Sequence, residues 1–282
     1  MLQTGNKYRL PETFKDSILE KIIDAKIHEL IGAQEKLPAE CILDVLDRAE
    51  PVRPFKRALM SRSPSIIAEI KRASPSTGLI RADFDAIKVA RELQKAGAAA
   101  FSVVTEVHHF LGGLENLASL RWNAGLPLLR KDFIIDSYQI LEARHAGADA
   151  VLLIAGLLDK STLTQFRNEA ERYGMEAFIE IHNEEDLQKA IDAGARLIVV
   201  NNRDLHTFKV ALGVSLNLSR LLPKDVVAVA EGGIKTADDI HRLSGAGYRG
   251  FLVGESLMSA PSPGDALKEL LTGRSGAART IK

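Results

Sequence analysis

His145-Ala-Gly-Ala-Asp-Ala-Val-Leu-Leu-Ile154 joins a helical end, a glycine and an apolar run within ten residues. Glycine reaches the left-handed conformation without a Cβ penalty, so it ends a helix cleanly. The apolar run behind it reads as a strand buried on both faces. The same shape recurs at Lys95-Ala-Gly-Ala-Ala-Ala-Phe-Ser-Val-Val104, Asp192-Ala-Gly-Ala-Arg-Leu-Ile-Val-Val200 and Gly245-Ala-Gly-Tyr-Arg-Gly-Phe-Leu-Val253. The central glycines, Gly97, Gly147, Gly194 and Gly247, thus return about every 50 residues. Between the four motifs lie four more short apolar runs, Ser65 to Lys71, Pro127 to Lys131, Glu176 to Ile181 and Val226 to Glu231. Helical patterns such as Phe84 to Leu93 and Ser137 to Arg144 separate them. Eight strands in strict alternation with helices predict an α/β fold of the closed (β/α)8 TIM-barrel type. The competing open, doubly wound sheet is disfavoured by the strand count and by the lack of Gly-x-Gly-x-x-Gly after the first strand.

Residues 1–60 stand outside this repeat. Phe14 to Leu30 carries Ile18, Leu19, Ile22, Ile23, Ile27 and Leu30 at helical spacing. A second short helix is expected from Pro38 to Arg48, and Pro51-Val-Arg-Pro-Phe55 then interrupts helix before the first strand. The segment is too small for a core of its own, so residues 1–60 are expected to pack on a barrel of residues 61–272. Residues 273–282 read as a flexible, mildly basic tail.

Composition removes other classes. The 282 residues hold 37 Lys and Arg against 37 Asp and Glu, are 46% hydrophobic, and include one cysteine, Cys41. A disulfide scaffold is excluded, and a disordered chain would carry a charge imbalance. The longest apolar run, Ala150 to Leu158, is far short of the ~20 residues of a membrane helix. No basic excess points to nucleic acid. Acids and bases mix through the first helical stretch, unlike a signal or transit peptide, so a cytoplasmic location is expected. Cys41 lies away from every strand end and is expected to be buried or inert.

The strands end on unusual residues. The first runs through Glu69 and Lys71, the third ends on Lys131, the fifth on Glu180, the sixth on Asn201 followed by Arg203, and the seventh on Glu231. Side chains alternate along a strand, so Glu69 shares a face with Lys71, and Asn201 with Arg203. Barrels of this kind place reactive groups at the C-terminal ends of their strands. Three acids and three bases are therefore expected to converge on one mouth. Solvated strand ends would explain one such residue, not a set of matching parity, and unpaired buried charge is costly. Gly232 and Gly233 after the seventh strand, with Gly254, Glu255 and Ser256 after the eighth, predict a phosphate cradle of backbone N–H groups. His182 lies two residues beyond Glu180 and is within reach of the mouth. The neighbours His108 and His109 lack a third ligand at metal-site spacing, so no metal is expected.

Five stretches carry a resemblance: Ile67-Ala-Glu-Ile-Lys-Arg-Ala-Ser-Pro-Ser-Thr-Gly78, Leu129-Arg-Lys-Asp-Phe-Ile-Ile135, Glu180-Ile-His-Asn-Glu-Glu-Asp186, Val200-Asn-Asn-Arg-Asp-Leu205 and Phe251-Leu-Val-Gly-Glu-Ser-Leu-Met258. Together, and in this order, they resemble the indole-3-glycerol-phosphate synthase family over essentially the whole chain. The resemblance implies closure of 1-(2-carboxyphenylamino)-1-deoxyribulose 5-phosphate to indole-3-glycerol phosphate, with loss of carbon dioxide and water, in tryptophan biosynthesis. It implies Lys131 as general acid, Glu180 as base, and Glu69 with Lys71 in the later steps. Asn201 and Arg203 match substrate-orienting positions, Glu231 supports the network, and Phe133 with the N-terminal helix walls the aromatic ring. Ser74 falls in the family's mobile first loop. No cofactor is implied, the partner is a small phosphorylated substrate, and a monomer or weak homodimer is expected. Two positions depart from the family pattern. Gly232 stands where Ser is common, and the Phe110-Leu-Gly-Gly113 stretch carries Gly in place of Ser. A phosphosugar isomerase or a non-catalytic phosphate-binding barrel would keep the glycines. The former should lack Glu69 and Lys71 with Lys131, and the latter should lose an inward charge.

Overall fold

The computed structural model describes residues 8–273, so the expected tail, apart from Gly273, lies outside the described residues. Eight parallel strands close into a barrel: β1 (Ser65–Ile70), β2 (Ala100–Val104), β3 (Leu128–Lys131), β4 (Ala150–Ile154), β5 (Glu176–Ile181), β6 (Leu197–Asn201), β7 (Val227–Glu231) and β8 (Gly250–Val253). Each strand pairs with its neighbours in sequence, and β8 closes onto β1 with Ser65 opposite Gly250. The four repeat glycines all have positive φ, from 79° at Gly194 to 111° at Gly97, as helix stops require. The strands are buried almost end to end, with only Glu176 and Lys131 partly exposed. That is the signature of a parallel sheet covered on both faces.

Ahead of the barrel come α1 (Ile18–Lys36), α2 (Ala39–Leu46) and α3 (Phe55–Met60). The first helix starts later than the apolar stripe suggested. Asp16 takes a left-handed φ of 59°, and the Ser17 hydroxyl caps the helix by accepting the Glu20 N–H at 3.3 Å. The helix then runs past Leu30 and stops just before Pro38. The third helix had no sequence forecast, since six residues behind Pro54 show too little periodicity. Cys41 is exposed on α2, which corrects the buried alternative of the expectation that it is buried or inert: the buried position on that helix is Ile42.

The extension grips the barrel at both ends. At the base, buried Asp149 accepts the Arg53 N–H at 2.7 Å, the Leu128 N–H at 2.8 Å and Arg121 Nη1 at 2.8 Å. At the top, Lys26 of α1 is 1% exposed and lies 2.9 Å from Asp132, directly after β3. The Tyr8 hydroxyl donates to the Leu157 carbonyl at 3.0 Å, and the Phe14 ring stacks on His206 at 4.6 Å between centroids. The helices outside the strands are α4 (Ala86–Ala96), α5 (Leu114–Asn123), α6 (Ser137–His145), α7 (Lys160–Arg172), α8 (Glu184–Asp192), α9 (Gly213–Leu218), α10 (Ala237–Gly245), α11 (Glu255–Met258) and α12 (Pro263–Thr272). Among the described residues no helix is long and apolar enough to cross a membrane.

Candidate active site

A cavity of about 900 Å³ opens at the C-terminal end of the strands. Glu69, Lys71, Lys131, Glu180, Asn201, Arg203 and Glu231 all line it, so the parity argument holds for every member of the set. Lys131 is the hub. Its Nζ lies 2.6 Å from Glu231 Oε1 and 3.2 Å from Glu180 Oε2. Glu180 Oε1 accepts Asn201 Nδ2 at 3.0 Å, and the Asn201 Oδ1 accepts the Arg203 N–H at 2.9 Å. Lys71, just past β1, is 2.6 Å from Glu69 Oε2.

The three bases do not pair one-to-one with the three acids. Arg203 sits at the rim and binds Glu255 Oε2 at 2.8 Å, the Ser76 hydroxyl at 3.2 Å and the Phe208 carbonyl at 3.2 Å. Glu255, expected in the phosphate cradle, thus serves as the partner of Arg203. Within the barrel, one ammonium is left to face two carboxylates.

Electrostatics separate these carboxylates. Burial alone would raise the pKa of Glu180, but Lys131, His182 and Asn201 overcome it and hold the carboxyl well below the usual range. Glu69 is likewise lowered, with burial outweighed by Lys71, Lys131 and Arg203. Glu231 goes the other way, pushed up to about 7 by burial and by Glu180 and Glu69, against the pull of Lys131. Its Oε2 is buried without a hydrogen-bond partner. Burial disfavours the Lys131 ammonium, yet Glu180, Glu231 and Glu69 more than compensate, so its pKa stands above the ordinary lysine value.

Two walls flank this charged floor. Leu19 and Ile22 of α1, with Phe133 after β3, line one side, as expected for the extension. Gly232, Gly233, Gly254 and Ser256 line another part of the same cavity. Gly232 and Gly233 both adopt positive φ, 85° and 75°. A Cβ on Gly232 would come 3.0 Å from Asn201 Oδ1, so glycine here leaves Asn201 undisturbed. The helix after β7 does not open at these glycines. Thr236 caps α10 with Asp239 in a reciprocal box, and the sequence reading missed both residues. Gly254 approaches Glu69 so closely that any Cβ would touch its carboxylate. Ser74, expected in a mobile loop, is buried in a small hairpin in which Ala73–Ser74 pairs with Gly78–Leu79. The Phe110 carbonyl accepts the Ala73 N–H at 3.1 Å, joining the first two loops of the mouth. The Phe110-Leu-Gly-Gly113 stretch of the second departure ends at the start of α5, where Gly113 offers no side-chain cap.

Further residues complete the site. Asp132 binds Lys26, Thr105 Oγ1 at 2.6 Å and Arg130 Nη2 at 3.1 Å, and accepts the Phe133 N–H at 2.9 Å. The sequence carried a signal for Lys26: a lysine inside an apolar stripe at helical spacing has to find a buried partner. Glu106 accepts the N–H groups of His108, His109 and Phe110, which makes these histidines parts of an ordered loop. Among the described residues no cluster of His, Cys, Asp and Glu has metal-site geometry.

Solved structures share this fold. KGPDC from Streptococcus mutans superposes with a TM-score of 0.58 at 14% identity over 74% of this chain and 96% of its own. A 3-hexulose-6-phosphate synthase gives 0.58 at 17% identity, over 73% of this chain and 97% of its own. The sequence comparisons go further. The family model for indole-3-glycerol phosphate synthase matches residues 19–270. The indole-3-glycerol phosphate synthase of Koribacter versatilis is 50% identical over 222 residues, covering 78% of this chain and 85% of the relative. That of Carboxydothermus hydrogenoformans is 45% identical over 261 residues, covering 90% and 99%. A match that runs from the extension through the last barrel helix, and so takes in every charged strand end, leaves one conclusion: the chain belongs to the indole-3-glycerol phosphate synthase family.

Proposed function

We propose that this cavity carries out the family's carboxy-lyase reaction on 1-(2-carboxyphenylamino)-1-deoxyribulose 5-phosphate with Lys131 as general acid and Glu180 as base. The observation that carries the assignment is the single ammonium of Lys131, held between Glu180 and Glu231 with an apolar wall on one side and two glycine turns on the other. The aromatic ring lies against Leu19, Ile22 and Phe133, and the phosphate takes backbone N–H groups around Gly232, Gly233, Gly254 and Ser256. Arg203 and Asn201 orient the chain between them, and Ser74 lies on the mouth side of the same cavity.

The ring carbon bearing the carboxylate attacks the ketone carbon, and the C–O π electrons move onto oxygen. Lys131 gives its proton to that oxygen. An alkoxide is more basic than an amine, so the transfer is favourable even from a lysine whose pKa is raised. The C–C bond to the carboxylate then breaks, carbon dioxide leaves, and its electron pair restores the aromatic ring. Elimination of the new hydroxyl requires a base for one proton of the five-membered ring and an acid for the departing oxygen. Glu180 takes the ring proton and the Lys71–Glu69 pair supplies the other. The products are indole-3-glycerol phosphate, carbon dioxide and water.

The test follows indole fluorescence after adding the substrate to purified protein. Turnover is expected for the wild type, and Lys131→Ala is expected to lower kcat by ~10²–10⁴-fold. No turnover by the folded wild type would overturn the activity, and a near-normal rate for the variant would overturn the role of Lys131.

A further inference from the structure

The two carboxylates that flank Lys131 have the same chemistry but not the same surroundings. The far oxygen of Glu231 meets no donor, whereas the far oxygen of Glu180 meets both Asn201 Nδ2 at 3.0 Å and His182 Nε2 at 3.2 Å. His182 follows β5 and does not line the cavity; it stands behind Glu180. Its other ring nitrogen, Nδ1, is 3.6 Å from Asp186 Oδ2 on the first turn of α8. Asp186 is itself fixed, because Oδ2 accepts the His182 N–H at 3.0 Å and its own N–H is capped by Asn183 at 2.9 Å. The imidazole therefore lies between two buried carboxylates. Neither nitrogen has an in-line hydrogen bond, so the interaction is one of charge more than of direction. Around it, Asn201 of β6 shares the Glu180 oxygen that His182 faces, Lys131 of β3 meets the other oxygen, and uncharged Gly156, after β4, lies against Asp186.

We propose that His182 is a positioning residue whose imidazolium makes the two carboxylates unequal, keeping Glu180 ionised while Lys131 is without its proton. The need for it follows from the reaction. When Lys131 gives its proton to the substrate oxygen, Glu180, Glu231 and Glu69 lose the cation they share. Carboxylates crowded without a cation take up protons, and a protonated Glu180 is no longer a base. A second cation behind Glu180, anchored by Asp186, keeps that carboxyl charged through the step. Glu231 has no such support, so a proton held among the acids resides there. Burial works against a charged His182, but Asp186 and Glu180 outweigh it and push its pKa up to about 9.

This inference rests on the role of Glu180 given above, and two measurements separate the two. The first compares wild type with His182→Asn and Asp186→Asn by indole fluorescence across pH. Removing the cation raises the pKa of Glu180, so the acid limb of kcat should move up by about one pH unit. At a given pH on that limb, kcat of His182→Asn should fall about tenfold while KM changes little. The second follows the ring nitrogens of His182 by ¹⁵N NMR in the wild type, where a doubly protonated ring is expected at pH 8. A neutral ring at pH 7 would overturn the proposal, even if His182→Asn fails to fold. So would a folded His182→Asn variant with an unmoved acid limb, or one in which only KM changes. Wild type that turns over while these tests fail leaves the activity standing and removes His182 alone.

Discussion

Replacing Lys26 by methionine tests whether the N-terminal helix is part of the catalytic floor or only its cover. Methionine keeps most of the unbranched apolar stem and removes the charge. Asp132 has no exposed side-chain surface and would lose its contact at 2.9 Å while keeping Arg130, Thr105 and the Phe133 N–H. Breaking a buried ion pair by removing one partner costs about 3–5 kcal/mol. Three surviving donors place this case at the low end, about 3 kcal/mol. For a chain of this size each kcal/mol shifts Tm by about 2–4 °C, so the loss should be roughly 6–12 °C at pH 7. The pH dependence has a fixed sign. Against burial, Lys26 and Arg130 hold Asp132 down to about 2, below its ordinary 3.8. The stability this contributes is complete above the ordinary value and is lost as pH falls through the folded one. The Tm gap between wild type and Lys26→Met should therefore close as pH drops from 4 towards 2. Because Asp132 sits between Lys131 and Phe133, kcat should also fall, by about tenfold. Thermal unfolding read by circular dichroism at several pH values, with the fluorescence assay at pH 7, measures all three. A Tm loss under about 1 °C, or a gap that does not change with pH, would refute the reasoning. Adding Asp132→Asn to Lys26→Met should cost less than the sum of the single changes.

Two further outcomes follow from the same geometry. Glu231, with its pKa pushed up to about 7, destabilises the fold as pH rises from its ordinary 4.5 through that value, because the unfolded chain ionises first. Glu231→Gln should thus unfold at higher temperature than wild type at pH 8, show no gain at pH 4, and turn over more slowly. A variant no more stable at pH 8 would contradict the raised pKa. Gly254→Ala should drive a Cβ into the Glu69 carboxylate and to 2.9 Å from its Cβ, where the 4% exposure of Glu69 leaves no room to yield. Overpacking of this kind costs about 1–3 kcal/mol, with kcat reduced through Glu69; wild-type kcat in the assay would show that Glu69 is not held in place by this contact.

The barrel was legible because its signal repeats. Four glycine stops and eight apolar runs agree on one topology, and all four glycines take the predicted hand. The inward set was legible too, since strand parity is a local property and Glu69, Lys131, Glu180 and Glu231 each sit at the end of a strand. What stayed hidden depends on contacts between distant segments. Parity could say that Arg203 faces the mouth, but not that Glu255, fifty-two positions on, would claim it. Lys26 and Asp132 are both plainly charged in the sequence, yet their pairing exists only once α1 has docked. Helix boundaries failed at Asp16 for a related reason. The apolar stripe runs through Phe14 without a break, and a left-handed backbone, not hydrophobicity, sets the start.

The docking of α1 also bears on the order in which the molecule is built. The helix is made before the surfaces that receive it and the residues just ahead of it: Asp132 after β3 for Lys26, Leu157 after β4 for Tyr8 and His206 after β6 for Phe14. Leu19, Ile22 and Ile23 therefore have no complete seat until β3 and the residues behind it have been synthesised. During that interval the exposed apolar stripe is shielded only by the charged residues on the helix, among them Glu20, Lys21 and Asp24. Contacts between residues so far apart in sequence form slowly. A segment made ahead of the barrel is thus among the last to be secured, and only when it closes over the strand ends is the mouth of the barrel complete.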